Sequence, residues 1–586
     1  MHKPKPIPAR MLATVLLALL PAGCVGMPQQ PAADRVFLNG AVYTVNPAQP
    51  WAEAVAIRAG AIVYVGDDAG AQSLIDTRTV VSDLRGRMLL PGFHDGHAHV
   101  LAGGMSLSSC DLEDRRDHEW IRARLAQCSH SDRFAADGWI TGAHWALAAF
   151  ADGSPPKAWL DESFGSRPAY FVDSFSHSAW VNTRALELAG IDRDTPNPPH
   201  GVIERDPLSG QATGVLRDAA MELVARHVPE PGAAELAASV AAGVQQANSF
   251  GITAFVEPGL TREYLAPYVN ADRAGTLNAR VTASLSPIGW DSGRFGPEIF
   301  ELLAERGNFR GPRLNVDSVK VYIDGVMETG TSHLLEPYSD GSNFEPFYST
   351  AELNELYPRL DALGVQIHTH AIGDGAIRMA LDAYAQARKL NPSSDNRHQI
   401  VHLQLIDETD IPRFAELDVA ADFQSLWAYP DDYFDMALPL LGAPRVNRYY
   451  PIASVQRSGG RIVGGSDWDV SSLNPLDAIE TAVRRQDPFT ADGPVLQASE
   501  RVDLATMIEA YTRNAAWVMR LDTLSGSVEV GKRADLIVLD RNLFAIPATE
   551  INQARVLLTL LDGVEMYRAA METRGDLSSL HGDGDR

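Results

Sequence analysis

Basic residues are scarce in this sequence. Its 586 residues include 50 Lys and Arg against 75 Asp and Glu, a formal net charge of −25. Nucleic acids and anionic membrane surfaces repel such a protein, so both are poor candidate partners. The charge does not restrict a small-molecule substrate in the same way, because a bound cation can dominate the field of its own site.

Long apolar runs are also missing. A membrane-spanning helix needs about 20 apolar residues, whereas the run from Met11 to Leu20 has ten. A basic segment with Lys3, Lys5 and Arg10 precedes this run, and the small residues 21–23 follow it. This pattern predicts a signal peptide over residues 1–23 and an exported protein of the cell envelope or periplasm.

Cysteine is rare, with three residues in the chain. Cys24 follows Ala-Gly and resembles the lipidated cysteine of a bacterial lipobox, with residues 24–33 as a tether. Pro21 stands where a lipobox usually has Leu, so ordinary signal-peptide cleavage is the alternative. Cys110 and Cys128 could pair in an oxidising compartment or remain buried thiols, and the sequence leaves both readings open.

The two ends of the mature chain carry alternating apolar and polar residues, which is typical of strands. Residues 34–90 and 511–575 show this pattern and predict one small β-sandwich built from both termini, followed by a tail over residues 576–586. A chain of this length is too long for one simple core, so a large additional domain is expected between the ends.

The middle of the chain, residues 91–510, alternates short apolar strands with amphipathic helices, which predicts an α/β fold with a parallel sheet. Eight strands are the number that closes a (β/α)8 TIM barrel. A large insertion after the first strand, about residues 104–230, is expected to cover the barrel mouth. The predicted strands contain Leu90-Pro-Gly-Phe and residues 251–257, 280–286, 318–323, 365–370, 399–404, 419–424 and 461–467.

Metal-competent side chains stand at the C-terminal ends of five of these strands, where barrel enzymes place their active sites. Alternate strand residues share a face, so a His-x-His pair can aim two imidazoles at one ion. A lysine inside an apolar strand is costly unless it is modified or paired. The candidate residues are His97, His99, Lys320, His368, His370, His402 and Asp467.

At these residues the sequence resembles the amidohydrolase superfamily, in particular the branch containing the N-substituted formamide deformylases. The resemblance covers nearly the whole mature chain. It is carried by Leu90-Pro-Gly-Phe-His-Asp-Gly-His-Ala-His, His177-Ser-Ala-Trp-Val-Asn182, Val319-Lys-Val-Tyr-Ile-Asp-Gly325, His370-Ala-Ile-Gly-Asp374, Gly465-Ser-Asp-Trp468 and Gly531-Lys-Arg-Ala-Asp-Leu-Ile-Val-Leu-Asp540.

The resemblance implies a site for two divalent metal ions, most often Zn²⁺. It assigns one ion to His97 and His99 with Asp467 beside it. The second ion is assigned to His370 and His402, and a carboxylated Lys320 bridges the two. Asp467 is also the expected catalytic residue, because it can take a proton from water and pass it to a leaving group. His368 is an alternative ligand to His370, and Glu257 is an alternative bridge if Lys320 is unmodified.

Substrate contacts are predicted less directly. The candidates are His177, Trp180, Asn182, Trp145, Tyr322 and Asp324. A packing role is an equally good interpretation for each aromatic residue among them.

Together these features predict an enzyme that hydrolyses a C–N bond, outside peptides, in an N-substituted amide or formamide of small size. The alternatives are a lactone, ester or phosphotriester hydrolase on the same site, and a non-catalytic envelope protein that binds a ligand. A homo-oligomer is compatible with the sequence, and the membrane is expected as a partner only through the lipid anchor.

Overall fold

The computed structural model describes residues 31–131, 138–150, 153–174, 176–199, 201–289 and 293–570. The predicted signal peptide, Cys24 and the predicted tail lie outside the described residues. Among the helices that are described, none combines the length and the apolar character needed to cross a bilayer.

The N-terminal part of the described chain is rich in short strands. Its elements are β1 (Arg35–Leu38), β2 (Ala41–Tyr43), β3 (Trp51–Ala52), β4 (Ala54–Arg58), β5 (Ala61–Gly66), α1 (Asp68–Gln72), β6 (Val80–Asp83) and β7 (Met88–Pro91). Each of these strands except β3 contains at least one buried residue.

The segment predicted as the first barrel strand forms two strands, and these belong to different sheets. β7 ends at Pro91, and the barrel begins with β8 (Phe93–Asp95). Between them the backbone N–H of Gly92 donates to the carbonyl of Asp535, whereas that of Phe93 donates to Gly251. A Cβ at Gly92 would lie 2.4 Å from the side chain of Thr253, so the chain crosses between the sheets at a position where no side chain fits.

An insertion with its own sheet follows β8. The six strands run in the order β13-β14-β12-β11-β10-β9. Cys110 and Cys128 form a disulfide that joins β9 to α3, which confirms the paired reading of these cysteines. The elements are α2 (Val100–Ser106), β9 (Cys110–Asp111), α3 (His118–Ser129), β10 (Ile140–Trp145), α4 (Lys157–Phe164), β11 (Ala169–Asp173), β12 (Ser178–Val181), α5 (Thr183–Ala189), β13 (Gly201–Arg205), β14 (Ala212–Asp218) and α6 (Glu222–Ala225).

The barrel contains all eight predicted strands in one parallel sheet, in the order β8-β15-β16-β17-β18-β19-β20-β21. Its elements after the insertion are α7 (Ala233–Ser249), β15 (Ile252–Leu260), α8 (Arg262–Arg273), β16 (Arg280–Leu285), α9 (Glu298–Glu305), β17 (Leu314–Tyr322), α10 (Thr350–Ala362), β18 (Gln366–Ala371), α11 (Asp374–Leu390), β19 (Gln399–His402), α12 (Ile411–Leu417), β20 (Ala420–Phe423), α13 (Asp432–Leu441), α14 (Ala443–Val446), α15 (Ile452–Arg457), β21 (Ile462–Gly464) and α16 (Pro475–Arg484).

Two backbone hydrogen bonds join the first and last strands of the barrel. The N–H of Gly96 donates to the carbonyl of Gly464 over 2.9 Å, and the N–H of Asp467 donates to the carbonyl of His97 over 2.7 Å. The sheet therefore closes at the point where the segments after β8 and β21 meet. These two segments carry three of the predicted site residues, His97, His99 and Asp467.

The C-terminal part divides differently from the prediction. The boundary at 510 falls between α17 (Leu504–Glu509) and α18 (Ala515–Val518), which continue one another without a break. The apolar side chains of α18 pack against Ala254, Ala420 and Val463 of the barrel. This apolar contact keeps the segment with the barrel, and the terminal strands begin later. They are β22 (Leu536–Leu539), β23 (Val556–Leu561) and β24 (Val564–Arg568).

Strands from both ends of the described chain share one sheet. Six strands run in the order β24-β23-β22-β7-β2-β3, and four N-terminal strands form a second sheet, β5-β4-β1-β6. Phe37 and Ile57 of the second sheet lie in one hydrophobic cluster with Leu89, Leu536 and Leu558 of the first. One sheet thus contains strands from both ends of the described chain, as predicted. The packing of the two sheets as a β-sandwich stays a prediction.

Candidate metal centre

The His-x-His pair after β8 converges on one carboxylate. The Nε2 atoms of His97 and His99 lie 3.1 and 3.3 Å from the same oxygen, Oδ1 of Asp467. Backbone bonds fix this approach, because the N–H of Asp467 donates to the carbonyl of His97 and the N–H of His99 donates to that of Trp468. The closure of the barrel thus brings residues 370 positions apart in sequence into one site.

Two further histidines face this group from β18 and β19. The ring centroids of His370 and His402 are 4.5 Å apart, and those of His402 and His97 are 5.1 Å apart. One ligand atom from each of His97, His402 and Asp467 lies within 4.8 Å of the others. This spacing can hold a metal ion between them.

Each of three imidazoles has one ring nitrogen engaged by a neighbouring group. Nδ1 of His97 lies 2.8 Å from Nε2 of His368, and Nδ1 of His402 lies 2.9 Å from Oε1 of Gln424. Nε2 of His370 lies 3.1 Å from the carbonyl oxygen of Gly325. Metal-ligating histidines usually bond their second nitrogen in this way, which fixes the ring and leaves the other nitrogen for the ion.

The protonation states also suit metal ligands. Burial, together with the charge of Lys320, lowers the pKa of His97 well below its ordinary value and that of His370 to about 3. Burial would raise the pKa of Asp467, but the neighbouring His99, His402 and Lys320 outweigh it and lower the pKa to about 2. His97 and His370 are therefore neutral imidazoles and Asp467 is an ionised carboxylate, the forms that bind divalent ions.

Lys320 lies inside the barrel at the same level. It pairs in register with His368 across β17 and β18, and its Nζ lies 5.0 Å from the ring centroid of Tyr322. Burial lowers the pKa of its amine to about 7, against the opposing effect of Asp467 and Asp422. The lysine is thus close to its uncharged form in a fully enclosed position.

The residues present fit a divalent metal. Nε2 of His97 and Oδ1 of Asp467 are fully buried and form no hydrogen bond of good geometry with any described residue. Burying such atoms unsatisfied is costly, so a missing partner is expected at this point. Imidazole nitrogens with a carboxylate oxygen are a donor set that Zn²⁺ and related ions prefer.

Glu257, the predicted alternative bridge, has one carboxylate oxygen engaged by other groups, while Oε1 is buried with no hydrogen-bond partner among the described residues. Its Oε2 accepts the backbone N–H groups of Val100 and Leu101 at 2.8 and 3.3 Å, and the hydroxyl of Tyr268 at 2.6 Å. The carboxylate therefore satisfies the first turn of α2, where helix N–H groups have no partner within the helix.

Asp422 is a charged residue that sequence reasoning missed. It lies in β20, fully buried, and electrostatic contacts link it to Lys320, Asp95 and Asp467. Burial raises the pKa of its carboxyl well above the ordinary value, and Asp95 raises it further. The sequence contains a signal for Asp422, because burying an acidic side chain within an apolar strand costs free energy, as it does for Lys320.

The predicted substrate contacts separate into two groups. Nδ1 of His177 bonds Oδ1 of Asp218 at 2.9 Å. Burial alone would lower the pKa of His177, but Asp218, Asp173 and Glu328 raise it. Its charge in turn lowers the pKa of His370, an electrostatic contact with one residue of the metal centre.

Tyr322 and Asp324 also lie at the centre. The ring of Tyr322 is 5.5 Å from that of His370, measured between centroids. The carboxylate of Asp324 accepts the backbone N–H groups of His333, Ile372 and Gly373 at 2.9 to 3.0 Å. Asp324 therefore holds the loops after β17 and β18 together instead of facing a substrate.

The remaining three candidates have packing roles inside the insertion, which corrects their assignment as substrate contacts. Trp145 and Trp180 are fully buried, 6.4 Å apart between ring centroids, and Nε1 of Trp145 donates to the carbonyl of Phe171. The amide of Asn182 caps α5, accepting the N–H of Ala185, and its Nδ2 donates to Arg167. The aromatic side chains fill the core of the insertion sheet.

A parallel barrel that gathers histidines, an aspartate and a lysine where its strands end has the architecture of a metal-dependent hydrolase. The chain belongs to the amidohydrolase family, whose model matches residues 80–567. It is 29% identical to the protein LONG AFTER FAR-RED 3 of Arabidopsis thaliana, over 93% of this chain and 92% of that one.

A second relative and a solved structure are also similar to this chain. The chain is 27% identical to an N-substituted formamide deformylase of Arthrobacter pascens, over 91% of this chain and 98% of that protein. Its fold is similar to that of an uncharacterised metal-dependent hydrolase of Pyrococcus horikoshii, with a TM-score of 0.70 and 23% identity over 88% of this chain and 99% of that one. The relatives thus match across nearly their full length.

Proposed function

We propose that the protein is a metal-dependent amidohydrolase that cleaves the C–N bond of a small N-substituted amide or formamide. The hydrolase class follows from the family, and the bond is our proposal. It is supported by the similarity to a formamide deformylase, which acts on bonds of this kind according to its name.

One observation carries the proposal. His97, His370 and His402 each have one ring nitrogen engaged by a neighbouring group, and Asp467 lies among them as a buried carboxylate. In a cluster of histidines that only packs, nothing would require three fixed rings around buried polar atoms without hydrogen-bond partners, such as His97 Nε2 and Asp467 Oδ1. Ligands that must keep one free nitrogen in a set direction do require fixed rings.

We propose that His97 and His99 hold one ion with Asp467, that His370 and His402 hold a second, and that a carboxylated Lys320 bridges them. The two ions are proposed to be Zn²⁺. The lowered pKa of Lys320 supports this assignment, because an uncharged amine is the form that combines with CO₂. A bound divalent ion would lower the pKa of water and polarise a carbonyl group.

The protein residues would then handle the proton and the leaving group. Asp467 is ionised and buried, so it can accept a proton from the attacking water and return it to the departing nitrogen. The water oxygen bonds to the carbonyl carbon, the C–N bond breaks, and the products are a carboxylic acid and an amine. We propose that His177, which is paired with Asp218, orients the substrate.

A substrate panel tests this function. The protein, loaded with Zn²⁺, Mn²⁺ or Co²⁺, is assayed on N-substituted formamides and amides and on lactones, esters and phosphotriesters of matched size. We expect turnover of the amides and formamides. Turnover restricted to the esters, lactones or phosphotriesters would reassign the reaction, and turnover of none of them would favour a ligand-binding protein.

The Asp467→Asn variant is the matched control. Asn keeps the shape and offers one oxygen but cannot accept a proton at neutral pH. We expect much of the metal to remain while kcat falls by roughly 10²- to 10⁴-fold, the range for a positioned acid–base group. Full metal occupancy with a rate close to that of the wild type would mean that another residue moves the proton.

We also propose that the protein is exported and anchored in the cell envelope through a lipid on Cys24. The signal-peptide pattern supports export, and the disulfide between Cys110 and Cys128 suits an oxidising compartment. Cys24→Ser should move the protein from the membrane fraction to the soluble fraction. Wild-type protein recovered in the soluble periplasm would rule out the anchor.

A further inference from the structure

His144 connects the insertion to the loop that carries Asp467. It lies in β10 of the insertion, where its Nδ1 is 2.8 Å from Oδ1 of Asp111. Its Nε2 is 3.1 Å from Oδ2 of Asp469, a residue of the barrel 325 positions further along the chain. One imidazole thus bridges two carboxylates that belong to different parts of the molecule.

The barrel side of this contact is close to the metal centre. Asp469 stands two residues after Asp467, and the hydroxyl of Ser106 donates to the same oxygen, Oδ2, that faces His144. Ser106 is the last residue of α2, and His99 is the residue that precedes this helix. The carboxylate of Asp469 therefore joins the insertion, α2 and the Asp467 loop.

The loop has little room to move independently of this contact. The N–H of His99 donates to the carbonyl of Trp468 over 2.5 Å. A Cβ at Gly103 in α2 would lie 2.5 Å from the ring of Trp468, so helix and indole are packed without a gap. A displacement of Asp469 must therefore move Trp468, and with it the neighbouring Asp467.

The charges reinforce the bridge. Burial would lower the pKa of His144, but the hydrogen bonds to Asp111 and Asp469 outweigh it and raise the pKa to about 10. The side chain is 15% exposed, so the ion pairs are largely shielded from water. Removing the central cation from such a group leaves buried carboxylates without compensation, which costs more than an exposed ion pair.

We propose that His144 is a positioning residue for Asp467, through which the docked insertion sets the orientation of the metal-binding carboxylate. His144 itself does not touch the substrate or the reacting atoms. The inference rests on the metal centre proposed above. It assigns the insertion the task of holding the Asp467 loop in place.

Binding of Co²⁺ tests the inference, because its visible spectrum reports the ligand geometry independently of activity. Metal-free wild type, His144→Gln and His118→Gln are titrated with Co²⁺, and affinity is measured by competition with a chelator. His118 is the matched control, a histidine of the same insertion whose Nε2 bonds the carbonyl of Ala149 away from the Asp467 loop.

We expect His144→Gln to bind Co²⁺ about 10-fold more weakly, at the lower end of the range for residues that orient metal ligands. Its visible absorption should shift, whereas His118→Gln should match the wild type in both measurements. If His144→Gln has the affinity and spectrum of the wild type, the inference is overturned. If both variants change alike, a general loosening of the insertion explains the result and the inference also fails.

A second variant keeps the test decisive if His144→Gln does not fold. Asp111→Asn retains the histidine and the side-chain shape but removes one of its two carboxylates, so a smaller change in the same direction is expected. Unchanged affinity and spectrum in that variant would overturn the inference. Failure of the wild type to bind Co²⁺ would instead contradict the proposed metal centre, which distinguishes the two failures.

Discussion

Nδ1 of His97 lies 2.8 Å from Nε2 of His368, and both rings are fully buried. One of these nitrogens must donate and the other accept, because two lone pairs or two N–H groups would repel. The contact directs Nε2 of His97 toward Asp467 and keeps His368 behind it, at the level of Lys320. The two histidines of β18 therefore have different environments, His368 behind His97 and His370 beside His402.

We predict different consequences for the two histidines of β18. His370→Gln should lose most of one metal ion, because a metal ligand is removed. His368→Gln can still hydrogen-bond to His97, so it should retain metal with an affinity weakened by about 10-fold or less. Metal content of the purified variants, measured by elemental analysis, checks both expectations.

One outcome of this comparison would contradict the assignment of His370. If His368→Gln loses the metal and His370→Gln keeps it, His368 is the ligand and the assignment of His370 is wrong.

Lys320 provides a second test. Lys320→Ala should lose most of its second metal ion and its activity, because the proposed bridge disappears. A short carboxylic acid in the buffer should restore part of both by occupying the space of the missing carbamate. Lys389→Ala is the control, since Lys389 is an exposed lysine of α11.

Two metal ions and a near-normal rate in Lys320→Ala would place the bridge elsewhere. Oε2 of Glu257 already binds the first turn of α2. Asp422 would be the next residue to examine, since it is buried within the electrostatic reach of Lys320.

The sequence predicted the barrel well because its strands are buried on both sides and therefore read as apolar runs. The candidate ligands could be predicted for a related reason: His97, His402 and Asp467 stand at the ends of such runs, where a polar side chain stands out. Lys320 stood out within its strand, and Asp422 carries the same signal in its own.

Other features depend on contacts that no local pattern reveals. At Gly92 the backbone passes from one sheet to the other, and its hydrogen-bond partners there, Asp535 and Gly251, are distant in sequence. The role of Glu257 depends on the direction of α2, and that of His144 on an insertion that docks beside Asp469. The packing of Trp145 and Trp180 could not be told from substrate binding, because aromatic residues suit both.

The charged bridge at His144 predicts a pH dependence of stability. Its folded pKa of about 10 lies above its ordinary value of 6.5. Its contribution is therefore fully present below about pH 6.5 and is lost as the pH rises through 10, by up to about 1.4 kcal/mol per pH unit. The groups facing His144 are the carboxylates of Asp111, Asp469 and Asp114.

Chemical unfolding of the wild type and of His144→Gln between pH 6.5 and 10 measures this effect. The unfolding free energy of the wild type should exceed that of the variant at pH 6.5, and this difference should decrease as the pH rises. A difference in unfolding free energy that is constant, or that grows, would contradict a charged His144.

The disulfide between Cys110 and Cys128 should stabilise the insertion. It closes a short loop with a sequence separation of 18, for which a loss of about 2–4 kcal/mol is expected on removal. The double variant Cys110→Ser and Cys128→Ser should unfold at lower denaturant concentration than the wild type. If reduction leaves the unfolding midpoint of the wild type unchanged, the pair contributes nothing to stability.

Metal dependence of hydrolysis is the most direct test of the account. Metal content and turnover of one amide or formamide substrate are measured in the same preparation, before chelation, after chelation and after addition of Zn²⁺, Mn²⁺ or Co²⁺. We predict that turnover disappears with the metal and returns in proportion to the metal restored. A fully metal-free protein that retains normal turnover would contradict the assignment of His97, His99, His370, His402 and Asp467 to a catalytic metal centre.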